Sequence, residues 1–416
     1  MSEAVSKNDD LNQKISDFFD STGNLTSMPP SSELVRLLCE KYYKTGNWII
    51  PHRFRNFSNV LGEGAYGQVI KAYDCLTQSE VAIKKIKTPF NNQVNAVRSF
   101  REVHVLARLD HENCISMLFA YIDQESRNLG TFYLVMPAFG APLNEVMRKN
   151  RLTDQYVQWI TFQLISAIQY LHSLNLIHRD IKPENILINE DCHLKLIDFG
   201  LARMCSSESF MTGYVVTRYY RAPEIITSWQ RYDKSVDVWS VGCVVGELLT
   251  GTTLFRGLNH IDQIMRICQV CGTPSSSYLD KVDSDSRVFF VQQIGQVGRM
   301  NFLEKFSPII AKNQQIERCS VNPDSIKIVD MMLQIDPSER PSVDGIFEHS
   351  YFRDIEGIKE WMEKAKDIKK IDFHGWDLEE TENGGTSIEI WRNRVFDEIE
   401  EFQSNQIQNI IEFYEN

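Results

Sequence analysis

Hydrophobic and polar positions change rhythm along the chain. Between Phe54 and Tyr133, short runs such as NVLGEGAYGQVIKAY, EVAIKKI and TFYLVM have the β-type pattern of strands, whose successive side chains point to opposite faces. One stretch inside that region, AVRSFREVHVLARL, has helical spacing instead. From Leu152 onward helical spacing takes over. TDQYVQWITFQLISAIQYLHSL repeats apolar residues at Val157, Ile160, Leu164, Ile168 and Leu171, with Thr153 placed to cap its start. DVWSVGCVVGELLTG is apolar nearly all round, which predicts a central buried helix. The expected fold class is α+β: a small β-rich lobe with one helix, then a larger, mainly helical lobe.

Two extensions flank this body. Residues 1 to about 50 are rich in Ser, Asn and Asp and are broken at Met28 to Pro30. In SSELVRLLCEKYY, helical spacing would bring Leu34, Leu37, Leu38 and Tyr42 onto one face. The pattern fits a helix docked on the body or on a partner, and equally a marginal helix in a mobile tail. After Phe352 the chain becomes charged, with a flexible break at Glu382 to Gly385, and closes on the helical stretch IWRNRVFDEIEEFQSNQIQNII.

Composition narrows the function. The 416 residues carry a formal net charge of −12. That disfavours broad binding to nucleic acid or anionic membranes and suits basic peptides. No stretch approaches the roughly 18–20 apolar residues of a membrane span. MSEAVSKNDD lacks the layout of a secretory signal, Ser2 excludes N-myristoylation, and FYEN is no prenylation box. The nine cysteines are scattered, and Cys268 and Cys271 lack a second pair to complete a zinc site. Reduced thiols and a cytoplasmic and nuclear location are expected, with no membrane or nucleic-acid partner.

The candidate chemistry is that of phosphate. LGEGAYGQV holds Gly62, Gly64 and Gly67, with Glu63, Ala65 and Tyr66 between them and Val69 two residues on. Glycine lets backbone N–H groups come close to phosphate oxygens. β-type sequence lies on both sides, whereas a dinucleotide fingerprint would open a helix, so a flap over ATP is favoured. In EVAIKK, Lys84 and Lys85 face opposite ways, and Lys85 reads as a solvated surface charge. Glu102, on the single helix of this region, can pair with Lys84 and hold it against the α- and β-phosphates. HRDIKPEN offers Asp180 to accept the proton of an incoming hydroxyl, Lys182 to neutralise the γ-phosphoryl oxygens and Asn185 as an oxygen ligand to Mg²⁺. Asp198 in IDFG adds a charged metal ligand.

Taken in order, these strings resemble the signature set of the eukaryotic protein kinases from Phe54 to Phe352. The resemblance implies a bilobal protein kinase fold with ATP and Mg²⁺ as cofactors. It divides the chain into an N-terminal extension (1–53, largely flexible), a kinase domain (54–352) and a C-terminal extension (353–416) packing back on it. Within the kinase domain, 54–139 is the small lobe and hinge, and 140–352 the larger lobe. It further implies that Ala82, Met136 at the gatekeeper position and the hinge around Ala138 meet the adenine. Glu224 of Ala222-Pro223-Glu224 is expected to pair with Arg340.

SSESFMTGYVVTRYYRAPE, from Ser206 to Glu224, places Thr212 and Tyr214 among arginines. Arg98 and Arg101 lie three apart on the helix that carries Glu102, and Arg179 adjoins Asp180. A phosphate on Thr212, carrying about −1.5 to −2 charges, would engage these three cations. One on Tyr214 has Arg218 and Arg221. T-x-Y followed by T-R-x-Y-R-A-P-E resembles the mitogen-activated protein kinases, and the intervening Gly is similar to their stress-activated, osmosensing branch. NHIDQI, CGTP and KVDSDSRVFF resemble that family's insert, and VFDEIEEF its C-terminal tail. Thr217 matches the threonine that contacts the catalytic aspartate and lysine. The resemblance implies a monomeric serine/threonine kinase, activated by a dual-specificity MAP kinase kinase, opposed by phosphatases and acting on Ser/Thr-Pro sites. Glu190 and Asp191 match an acidic patch for basic docking peptides. Two departures stand out: Pro142 replaces a ribose-binding aspartate, and YFRDIEGIKEW lacks a recognisable acidic docking motif. The rival reading is a catalytically weak kinase-fold scaffold or allosteric binding protein; Lys84, Asp180, Asn185 and Asp198 together argue against it.

Overall fold

Strand alternation sets the first layer of structure. The computed structural model describes residues 15–415 apart from 16, 21–23, 27, 65–66, 206–217, 228–232, 281, 283, 356–370, 372 and 374–385. The chain forms two units, one from Met1–Asp110, Ile115–Phe139 and Phe373–Asn416, the other from His111–Cys114 and Gly140–Asp372.

The first unit begins with helix α1 (Ser32–Glu40) and the hairpin β1 (Tyr42–Thr45) and β2 (Trp48–Pro51). Its antiparallel sheet contains β3 (Phe54–Arg55), β4 (Val60–Gly64), β5 (Gly67–Asp74), β6 (Ser79–Ile86), β7 (Phe119–Tyr121) and β8 (Phe132–Pro137). They run in the order β3-β5-β6-β8-β7, with β4 also paired to β5. Helix α2 (Gln93–Leu106) follows β6, starting at Asn92, whose side chain accepts the Asn95 N–H, and the short helix α3 (Gln124–Leu129) lies between β7 and β8. Along β6, Val81 and Ile83 are buried in the core, while Ala82 and Lys84 lie on the opposite, half-buried face.

Residues 31–53, read from the sequence as part of a largely flexible extension, contain an ordered helix and hairpin. Ser31 caps α1 by accepting the Leu34 N–H, and Leu34, Val35, Leu38 and Cys39 enter the core. Tyr42 leaves the helical face assigned to it, because the chain turns extended at Lys41 and Tyr42 opens β1. Lys85 is also packed more than a solvated charge: its ammonium lies 5.8 Å from the Trp48 ring and 5.6 Å from the Tyr133 ring and donates to the Asn47 carbonyl. Burial, with the charge of Lys87, lowers its pKa.

The C-terminal helix (Ile388–Glu415) packs in the same unit, against α1, α2 and β7. Trp391 meets Phe100 of α2 at 5.2 Å, and Phe396 meets Phe90 edge-on at 5.6 Å. Glu398 accepts from Arg108 and lies 3.1 Å from His104. Further along, Ile407 and Ile411 join the core beneath the sheet. Apolar residues seen only as periodicity in the sequence thus become a brace along the helix that carries Glu102.

The second unit starts with β9 (Ala141–Pro142), α4 (Leu143–Lys149) and the long helix α5 (Asp154–Ser173). Thr153 occupies the cap position of α5, but its side chain makes no capping hydrogen bond. Short strands follow: β10 (Leu176–Ile177), β11 (Ile186–Ile188), β12 (Leu194–Leu196) and β13 (Arg203–Met204). β12, β11 and β9 form one small antiparallel sheet, and β10 pairs with β13. The apolar stretch forms α6 (Ser235–Thr250), buried over nearly its whole length. Cys268 and Cys271 lie buried on α7 (His260–Cys271), and burial pushes both thiols up to about 12. They are packing residues, and all nine cysteines are free thiols. No described helix is long and apolar enough to cross a membrane.

Candidate active site

Strand register places one set of candidates in the first unit. Lys84 lies opposite Val69 on β5 and Leu134 on β8, and Ala82 lies opposite Met136. Lys84, Ala82, Val69 and Met136 are all half-buried. Glu102, buried on α2, accepts from the Lys84 ammonium. This side-chain bond ties β6 to α2, the helix braced by the C-terminal helix.

The glycines of the loop differ in kind. Among the described residues, a Cβ on Gly62 or Gly64 would meet nothing within 4 Å. A Cβ on Gly67 would stand 2.1 Å from the Lys85 carbonyl oxygen, so this glycine is required by the close passage of β5 and β6. Glu63 accepts from Gln68 at 2.8 Å across the hairpin and pairs with Lys87 at 3.4 Å. Ala65 and Tyr66 lie outside the described residues. At the hinge, the Ala138 N–H donates to the Glu80 carbonyl at 3.1 Å. It is therefore spent on the sheet, and a purine would have to use other hinge groups.

In the second unit, one carboxylate gathers the catalytic string. Oδ2 of Asp180 accepts from Lys182 Nζ at 2.6 Å and Asn185 Nδ2 at 2.8 Å. Asn185 Nδ2 also reaches the Asp180 carbonyl at 2.9 Å, which locks the loop between them. Asp180 and Asn185 are more than nine-tenths buried, so these bonds form where water competes little. The β11–β12 pairing, with Ile186 opposite Leu196, returns the chain so that the Ile197 N–H donates to the Asn185 carbonyl at 2.9 Å. Asp198 follows in a left-handed conformation, φ 63°, with the Gly200 N–H donating to Oδ1 at 3.3 Å.

The residue that organises this loop is Asp237, the first residue of the DVWSVGCVVGELLTG stretch, to which the sequence assigns no role. It is wholly buried on α6 and accepts the His178 and Arg179 backbone N–H groups, both at 2.9 Å, and His172 Nε2 at 3.0 Å. Burial alone would push its carboxyl up, but the hydrogen bond and charge of His172, the charge of His178 and the Arg179 N–H hold it below the usual carboxylate value. Arg179 adopts φ 68° there, a conformation that needs such an anchor. His178 Nδ1 accepts the Asp180 N–H at 3.2 Å, and its ring meets Phe199 edge-on at 5.2 Å.

Glu224 and Arg340 form the expected pair, with both side chains buried. Arg98 and Arg101 are buried on α2 in the first unit; Arg179, Arg218 and Arg221 belong to the second. Arg218 donates to the Leu258 carbonyl at 2.6 Å. Burial lowers the Arg221 pKa, with the charge of Arg218 adding to the shift and that of Asp180 opposing it. Thr212, Tyr214 and Thr217 lie outside the described residues. Glu190 and Asp191 are exposed in the turn between β11 and β12. Pro142 precedes α4 and supplies no side-chain cap, while its strand pairs with Leu187.

The donor set fits magnesium. Asn185 spends its amide nitrogen on Asp180, which leaves Oδ1 as a hard oxygen donor, and Asp198 adds a carboxylate. Among the described residues no cluster of three or more His, Cys, Asp or Glu side chains forms a metal cage. An ion that binds through one or two protein oxygens, phosphates and water needs none.

A buried carboxylate placed to act as a base, an amide and a carboxylate that fit a metal, and a lysine paired with a helix glutamate are together the marks of a protein kinase. The protein kinase domain family matches residues 55–352. The chain is 38% identical over 335 residues to mitogen-activated protein kinase 14 of Xenopus laevis, covering 79% of this chain and 89% of that protein. It is 37% identical over 364 residues to mitogen-activated protein kinase pmk-1 of Caenorhabditis elegans, covering 86% and 89%. Against mitogen-activated protein kinase p38b of Drosophila melanogaster it is 38% identical over 371 residues, covering 87% and 95%. The chain belongs to the mitogen-activated protein kinases and is an ATP-dependent protein serine/threonine kinase of a MAP kinase cascade.

Proposed function

We propose that this kinase transfers the γ-phosphoryl group of ATP to Ser/Thr-Pro sites in protein substrates, with Asp180 accepting the hydroxyl proton. The observation that carries the assignment is the convergence of Lys182 and Asn185 on the Asp180 carboxylate. It fixes the base and keeps a cation beside the oxygens where negative charge develops. Lys84, oriented by Glu102, and the backbone of Gly62 to Val69 bind the ATP phosphates. Asn185 and Asp198 would hold Mg²⁺, which neutralises phosphate charge when bound. Ala82 and Met136 line the adenine site, served by hinge groups other than the Ala138 N–H.

Activation is by phosphorylation of Thr212 and Tyr214 by a dual-specificity MAP kinase kinase. Arg98, Arg101 and Arg179 read the first phosphate, and Arg218 and Arg221 the second. Thr217 supports Asp180 and Lys182. Glu190 and Asp191, exposed and acidic, receive basic docking peptides from substrates, activators or phosphatases. Cytoplasmic and nuclear action by a monomer fits this reading.

The test is phosphate transfer to a Ser-Pro peptide after treatment with an active MAP kinase kinase. Asp180→Ala, Thr212→Ala and Tyr214→Phe run beside the parent chain. Activity that rises only after dual phosphorylation and is abolished by Asp180→Ala supports the reading. Full activity in Asp180→Ala would refute the assignment of the base.

A further inference from the structure

The turn that carries the catalytic string also carries a carboxylate to which the phosphoryl transfer gives no role. Pro183–Asn185 is a single helical turn in the second unit. Glu184 stands exposed on it, between Lys182 and Asn185, both of which bond to Asp180. Among the described residues Glu184 has no hydrogen bond or ion pair. The Asn185–Asp180 bond closes the turn, so Glu184, about 3.8 Å along the chain from Asn185, stays within roughly 10 Å of the base.

A second carboxylate belongs to the same region. Glu247 is half-buried on α6, and its oxygens accept from the Tyr220 hydroxyl at 2.6 Å and the Thr253 hydroxyl at 3.1 Å. Both partners are neutral, and Glu247 has no ion pair among the described residues. Burial raises its pKa, the two hydroxyls oppose the rise, and the charge of Glu184 adds to it. Burial raises Tyr220 as well, with the charges of Glu247 and Glu184 adding. The next residue, Arg221, feels the charge of Asp180. Consecutive residues of this segment thus each interact with a carboxylate of the catalytic turn, Tyr220 with Glu184 and Arg221 with Asp180. Glu184 and Glu247 together make one negative field beside the base.

A protein substrate whose hydroxyl reaches Asp180 has to lay its backbone beside this turn. An extended chain rises about 3.3 Å per residue, so side chains within about three residues of the phosphoacceptor come level with Glu184. A cation there gains a charge-assisted contact, whereas an acidic side chain is repelled.

We propose that Glu184 and Glu247 are specificity-determining residues that select substrates with an arginine or lysine within about three residues before the phosphoacceptor. The inference rests on the Ser/Thr-Pro reading above, in which an uncharged proline fills the following position and leaves the preceding ones to carry the charge. Glu184 meets the cation directly. Glu247, held by Tyr220 and Thr253, strengthens the field behind it.

The test uses the full chain after treatment with an active MAP kinase kinase. Its substrates are Ser-Pro peptides that differ only in carrying Arg or Ala at one of the three preceding positions. At one of these positions Arg should raise kcat/KM about tenfold over Ala. Glu184→Gln should cut that gain to within about twofold and Glu247→Gln should reduce it, with kcat/KM for the Ala peptide unchanged in both. Glu184→Arg should reverse the choice, favouring a peptide with Glu at that position over one with Arg. No gain from Arg at any position, or a gain that survives Glu184→Gln, would overturn the proposal. Replacing the proline by Ala tests the Ser/Thr-Pro reading separately, because the Arg-to-Ala ratio compares peptides that share the following residue.

Discussion

Glu224 and Arg340, 116 residues apart in sequence, meet in a two-pronged ion pair at 2.6 and 2.7 Å with almost no exposure of either side chain. Arg340 also donates to the carbonyls of Gln334, Ser235 and Ile335 and stands 5.1 Å from the centre of the Trp239 ring. It thereby fastens the segment after Arg221 to α6 and to the chain that follows Met332.

Removing one partner of this pair should be far costlier than losing a surface ion pair. Glu224→Ala strands a buried guanidinium, and unfolding of the second unit should become easier by about 3–5 kcal/mol. Urea denaturation followed by Trp239 fluorescence reads the change. A loss below about 1 kcal/mol, the range of exposed pairs, would mean that water reaches Arg340.

His52 predicts a pH dependence in the first unit. It is 4% exposed, lies tilted at 4.9 Å from the Tyr43 ring, and has no hydrogen-bond partner at either ring nitrogen. Burial, helped by the charge of Arg55, lowers its pKa from 6.5 to about 4. The unfolded chain therefore takes up a proton below pH 6.5 that the folded chain resists until about pH 4. The stabilisation is fully present above the unfolded pKa and is lost as pH falls through that window, by at most about 3 kcal/mol. The stability difference between parent and His52→Phe should change with pH between 6.5 and 4 and be flat above pH 7.5. A constant difference across the range would show that His52 does not titrate this way.

The glycine loop separates folding from nucleotide binding. Gly67→Ala drives a methyl into the Lys85 carbonyl and should destabilise the first unit by about 1–3 kcal/mol. Gly62→Ala meets no atom of the described residues and should leave the melting temperature unchanged while raising KM for ATP several-fold. Thermal melts beside ATP titrations distinguish the two; matching melting losses would show that a Cβ on Gly62 is hindered as one on Gly67 is.

The readable elements are those whose cause is local. The alternation of β6 and the apolar face of α5 follow from strand and helix periods, and the catalytic loop has Asp180, Lys182 and Asn185 within six consecutive residues. Tyr42 was misread because helical spacing cannot show that the chain turns extended at Lys41. Lys85 was misread because its rings belong to Trp48 and Tyr133, far from it in sequence. Ala138 was offered to adenine because nothing in the hinge string reveals that Glu80 takes its N–H. Asp237 could have been weighted more heavily, since a carboxylate in an otherwise apolar helix demands buried donors.

The sequence by itself determined the candidate chemistry: which side chains are able to accept a proton, neutralise phosphate and ligate a metal, because these properties reside in the side chains and their order. Only the tertiary structure decided what holds them in place. Asp237 anchors the backbone before Asp180, Arg340 closes on Glu224, and the C-terminal helix braces the helix bearing Glu102. Each depends on a buried partner distant along the chain, and the desolvation that makes such pairings stringent exists only once the core has closed around them.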